Sequence, residues 1–154
     1  MSELRHAESF RELAVYRKAR SVSGDIFRLS KSFPVEERYV LTNQVRRASR
    51  SVGAQIAEAW AKRRYERHFV SKLTDADAEQ QETQHWVETA AESGYMSDGD
   101  ASRLLAELGE IGRMISSMIR KAELFCGTTA DRVHEDAAEY IVGDDQHRSL
   151  MTED

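Results

Sequence analysis

FPVEERYVLTNQVRRASRSVGAQIAEAW, residues 33–60, is a helix by the spacing of its apolar residues. Leu41, Val45, Ala48, Val52, Ile56 and Ala59 step by three and four, which aligns them on one side of a helix with 3.6 residues per turn. Arg46, Arg47 and Arg50 fall mostly off that side. Pro34 fixes φ at a value suited to a first helical turn, and Glu36 and Glu37 follow where the helix dipole favours negative charge. The spacing predicts a helix from Pro34 to residue 62.

Three further stripes flank it. Upstream, Val15, Ala19, Val22, Ile26 and Leu29, widened by Phe10 and Leu13, predict a helix over 8–31. Downstream, Phe69, Leu73, Ala76, Gln80, Thr83, Val87 and Ala90 predict one over 65–93 whose middle is polar where a core position is expected. Gly94 supplies its C-cap, because glycine tolerates the left-handed conformation. Ser97, with Asp100 three residues on, forms an acidic variant of the capping box. From there Leu104, Leu108, Ile111, Ile115, Met118 and Ala122 carry a stripe to Leu124.

Helices of this length extend about 36–44 Å, and the short links between them force neighbours to run antiparallel. The expected fold is all-α, an antiparallel up-down-up-down four-helix bundle over residues 1–126. A polar, acidic tail follows over 127–154. There TTADRVHEDAAEYIVG has room for one short helix, and the last dozen residues are expected to fray.

Composition agrees. The 154 residues suit one domain, and a single proline among 40% hydrophobic and 32% charged residues favours long helices over turn-rich sheet. The lone Cys126 excludes an internal disulfide and any cysteine cluster for metal. No stretch approaches the roughly 18 apolar residues of a membrane span, and MSELRHAESF lacks a signal-peptide core, so the expected location is the cytoplasm with no membrane contact.

The net charge of −5 conceals a segregation. Residues 38–72 carry nine Lys or Arg against Glu58 and Glu66, whereas 73–110 carry ten acids against Arg103, and the tail is acidic again. The basic group Arg46, Arg47, Arg50, Lys62, Arg63, Arg64, Arg67 and Lys72, with His68, spans the hairpin between the second and third helices. Two readings fit. The group is either a solvated face whose arginines pair with Glu58, Glu66 or the acidic third helix, or a surface that neutralises phosphates, with Trp60, Tyr65 and Phe69 interleaved for base stacking. Lys62, Arg63, Arg64, Arg67, Arg50 and Lys72 are the candidates for RNA or DNA. Arg46 and Arg47 lie in the bundle's middle, within reach of Glu58 or Glu82, and are assigned to ion pairs or a subunit interface. Trp60 and Trp86 sit beside the seams, where a wider core or an interface would bury them.

Glu82 and His85 form one E-x-x-H unit of the kind that di-iron bundles use twice, but the second unit is missing, so no metal is expected. No phosphate loop, nucleophile elbow or other catalytic constellation is present, and no cofactor is expected. Gly24, Gly53, Gly109 and Gly112 fall inside predicted helices, where each costs about 1 kcal/mol relative to alanine and suggests close helix approach or a tolerated surface glycine.

Phe33-Pro34, Glu37, Tyr39, Leu41, Gln44, Arg46, Arg47, Ser51, Ile56, Ala57 and Glu58 resemble, in order and without gaps, the signature of the 23S rRNA intervening-sequence proteins. Phe10, Leu13, Tyr16, Lys18 and Ala19 are similar to that family's opening pattern, and Phe69 with Glu79 to Thr83 to its third helix. Gln55 and Ala59 depart from its usual Asn and Gly. The resemblance implies a non-enzymatic four-helix bundle, assembled as a homo-oligomer, expected to be a pentamer. It also implies an accessory role beside the reverse transcriptase of a diversity-generating retroelement, in contact with its RNA. The alternative is a scaffold that docks a partner protein through the acidic third helix and tail.

Overall fold

The computed structural model of the chain describes residues 7–127 and 139–142. Four long helices carry it: α1 (Ala14–Ser30), α2 (Asn43–Ala61), α3 (Glu66–Glu92) and α4 (Asp98–Arg120). Each stripe read from the sequence is the buried side of its helix, apart from Phe10 and Leu29, which are half-buried. Gln80 and Thr83, the polar positions of the α3 stripe, are buried as well. They are satisfied internally: Thr83 Oγ1 donates to the Glu79 carbonyl, Gln80 Nε2 donates to Asp77, and Gln80 Oε1 accepts from Gln84.

The helices pair through contacts that fix their sense. Lys18 reaches Glu110 and Asp25 reaches Arg103 between α1 and α4. Glu58 meets Lys72 and Arg47 meets Glu82 between α2 and α3. Arg46 bonds to Ser30 while a Cβ at Gly53 would touch Tyr16, and Phe69 stacks on Phe125 while Gln80 faces Gly112. In every pair the residue numbers rise along one helix as they fall along the other, so these neighbours run in opposite senses.

The α3–α4 turn forms as expected. Gly94 adopts φ +78°, Tyr95 N–H bonds back to the Ala90 carbonyl, and Ser97 Oγ accepts from the Asp100 N–H. Two helix starts differ from the sequence reading. The first helix begins at Ala14, not at residue 8: Phe10–Glu12 form a 3-10 turn capped by Ser9, and Leu13 is extended, buried and bridged to Ile141. The second is regular only from Asn43. Pro34 has ψ 143°, outside the helical region, and is followed by a 3-10 turn (Val35–Glu37) and a wide π turn (Arg38–Thr42) that sets Leu41 and Thr42 inward together. The same winding leaves Val35, Tyr39 and Val40 exposed.

Residues 139–142 pack on the bundle. Tyr140 is buried edge-on to Phe125, its hydroxyl lies 2.6 Å from Ser117 Oγ, and Val142 N–H donates to the Glu12 carbonyl. The expected tail helix falls largely on 128–138, and the last dozen residues on 143–154, both outside the described residues.

Candidate nucleic-acid interface

The corner between α2 and α3 presents Lys62, Arg64, Tyr65, Arg67 and His68 to solvent. Two expected members of this corner turn elsewhere. Arg63 folds inward, where its Nε donates to the Trp60 carbonyl and its guanidinium lies 3.5 Å over the indole ring. Lys72 Nζ sits 2.9 Å from Glu58, whose hydrogen bond raises the lysine pKa; its cation is neutralised locally. Of the three interleaved aromatics, Trp60 and Phe69 are buried in the core and Tyr65 alone is exposed. The wider core, then, accounts for Trp60. Trp86 is half-buried, edge-on to His85, with its Nε1 enclosed and no acceptor among the described residues.

Arg47 crosses to α3 and binds both carboxylate oxygens of Glu82, at 2.9 and 3.2 Å, with Glu79 at 3.8 Å. Burial first, then the hydrogen bond with Glu82, pushes the Glu79 carboxyl above its ordinary range. Glu82 is therefore occupied by an arginine. No three His, Cys, Asp or Glu side chains converge on a possible metal position among the described residues. Burial also pushes the Cys126 thiol up to about 11, which keeps it protonated and poorly nucleophilic.

A second basic surface lies between α1 and α2, and the sequence reading captured only part of it. Arg46, assigned to an ion pair or a subunit interface, donates through Nε to Ser30 Oγ at 2.7 Å within the chain and lies 4.8 Å from the Phe27 ring centre; Arg50 approaches the same ring at 5.3 Å. Lys31 is the third cation on Phe27, at 4.8 Å. Arg20 projects beside them and donates to the Tyr16 hydroxyl. The one acid of α1, Asp25, is engaged by Arg28 and Arg103, and the one acid of α2, Glu58, by Lys72. Arg20, Arg46 and Arg50 consequently have no carboxylate at ion-pair distance among the described residues.

Between them opens a groove of about 500 Å³ lined by Phe10, Tyr16, Arg20, Phe27 and Arg50, with Gly24, Gly53, Ala54 and Ala57 leaving it room. It adjoins a shallower hollow bounded by Arg46, Arg47 and Arg50. Among the described residues no acidic side chain lines either. Arg20 and Phe27 were not among the sequence candidates. The signal available was the scarcity of acids along α1, which the count over residues 38–72 left out.

Helix number, pairing and basic surface define an all-α bundle protein without a recognisable catalytic centre among its described residues. Residues 11–117 match the family model described as 23S rRNA-intervening sequence protein, and the chain belongs to that family. A crystal structure of a protein of unknown function from the S23 ribosomal protein family of Bacteroides thetaiotaomicron is similar, at 27% identity and a TM-score of 0.62, over 69% of this chain and 95% of that one. No curated protein matches significantly. No helix among the described residues is long and apolar enough to cross a membrane.

Proposed function

We propose that this chain is a non-catalytic, self-associating bundle that binds nucleic acid through the α1–α2 face and the adjoining α2–α3 corner, as an accessory subunit of an RNA-handling enzyme such as a reverse transcriptase. The observation that carries the reading is the set of guanidiniums at Arg20, Arg46 and Arg50. Both acids of their own helices are engaged by other cations, so among the described residues these three have no carboxylate partner and are available to an external anion. Lys62, Arg64 and Arg67 extend the cationic surface at the corner. Each phosphate contact releases condensed counterions, so the affinity falls steeply with salt. In a mobility-shift assay at low salt, a labelled unstructured RNA is retarded by the wild type and much less by the Lys62→Ala, Arg64→Ala, Arg67→Ala triple variant. Absence of any shift overturns the reading.

Self-association, as a pentamer by resemblance to the family, is supported by Val35, Tyr39 and Val40. These three large apolar side chains are exposed within six residues of one another, more than an isolated surface position requires. A second reading, docking of a basic partner protein, is favoured by the acidic side of α3, where Glu79 and Glu82 share Arg47 and the charge of Asp75 also acts on Glu79. A partner retained after nuclease treatment and released by Glu82→Gln supports that reading.

A further inference from the structure

Building on the nucleic-acid reading, we infer that the α1–α2 groove takes an unpaired base, with Arg20 and Arg50 on the flanking phosphates, so that the protein prefers single strands to duplex. The groove's volume of about 500 Å³ lies within the range of small-molecule sites. Its walls are rings: Phe10 and Tyr16 pack edge to face at 4.8 Å, and Phe27 carries the Arg46 and Arg50 guanidiniums. Aromatic rings beside guanidiniums form a stacking platform that accepts any base, because every base has a π face. A surface meant for phosphates alone needs no such rings; exposed cations such as Lys62, Arg64 and Arg67 suffice.

The space is built into the backbone. Gly53 is buried against the Tyr16 ring, where a Cβ would sit 3.5 Å from it, and Gly24, Ala54 and Ala57 add no bulk. In a duplex the bases are stacked inside and reach such a groove only after being flipped out. The lining offers Ser23, the Tyr16 hydroxyl and the two arginines as polar groups, with no Asn, Gln, Asp or Glu among them. With Arg20 and Arg50 directed to the flanking phosphates, the groove selects strandedness before sequence.

Ala54 provides the test. It is exposed on α2, and Leu there fills the groove while removing no charge and keeping a good helix former. The probe is a mixed-sequence RNA of about sixteen nucleotides without self-complementarity, within the usual site size, alone and annealed to its complement, titrated into the full chain at one salt concentration at which the duplex stays paired. The wild type is expected to bind the single strand about tenfold more tightly than the duplex. Ala54→Leu removes that preference and leaves duplex binding and the melting temperature unchanged. Equal wild-type affinity for strand and duplex overturns the groove while the phosphate-binding reading stands. An equal loss of both affinities in Ala54→Leu does the same. Absence of binding to either probe overturns both, and a change in the sedimentation of free Ala54→Leu overturns the proposal by making the groove a contact between copies.

Discussion

Gly112→Ala should destabilise the bundle, although alanine is the better helix former. At Gly112 on α4, an added Cβ would lie 2.7 Å from Gln80 Nε2 and 3.3 Å from Asp77 Oδ1. The amide is the far end of a flexible side chain, but this one is not free to move. Gln80 is 4% exposed, its Nε2 donates to Asp77 at 2.9 Å, and its Oε1 accepts from Gln84 at 2.7 Å. Retreat of the amide breaks a buried hydrogen bond, at about 1–3 kcal/mol, and separation of the helices costs about as much in overpacking. Against this stands a gain of about 1 kcal/mol in helix propensity. The net loss is about 1 kcal/mol, or about 2–4 °C in melting temperature for a chain of this size. Urea unfolding at a fixed protomer concentration measures it, because the proposed self-association would make stability concentration-dependent. Gly109→Ala is the control: its Cβ meets the end of exposed Arg113 at 3.5 Å, so that variant should gain up to about 1 kcal/mol. In a Gln80→Ala background the nearest obstacle is gone and Asp77, which then has lost its Gln80 partner, can yield the few tenths of an ångström still needed, so Gly112→Ala should become stabilising. Gly112→Ala at or above wild-type stability, with Gln80 intact, refutes the reasoning.

Further outcomes follow from the ion pairs and the exposed turn. Glu79 has its folded pKa raised above the unfolded value, so its protonated form is favoured by folding, and this contribution is lost as pH rises from the ordinary carboxylate range through the raised value. Glu79→Gln should flatten the melting profile over that window and be no less stable than wild type at neutral pH; a lower neutral-pH melting temperature contradicts this. Tyr39→Glu with Val40→Glu alters two exposed positions on the π turn and should leave folded stability within about 0.5 kcal/mol, yet reduce the sedimenting mass. An unchanged mass removes this patch from the subunit contact.

The fold was legible because helix periodicity survives at every stripe. Even Gln80 and Thr83, polar by composition, lie inside at their expected register, since their hydrogen bonds close within α3. The helix starts were less legible. Nothing in the local pattern at Leu13 reveals that residues 141 and 142 will pair beside it, and the π turn at Arg38–Thr42 answers the need to set two consecutive residues inward. At the site, charge counts located the basic corner but not the direction of each side chain. Arg63 folds over Trp60, and Lys72 finds Glu58 across a helix pair. The α1–α2 groove was hidden because the arginines of α2 and Phe27 of α1 come together only through the rotation of one helix against the other.

The most direct measurement is the salt dependence of RNA affinity for the wild type and for Arg20→Gln with Arg50→Gln. Both arginines are exposed, have no carboxylate partner among the described residues and line the groove. Wild-type log K should fall linearly with log salt, and loss of two phosphate contacts should reduce the slope by about 1.4 for a single strand. No binding at low salt, or a slope that the two replacements leave unchanged, contradicts a nucleic-acid surface on this face.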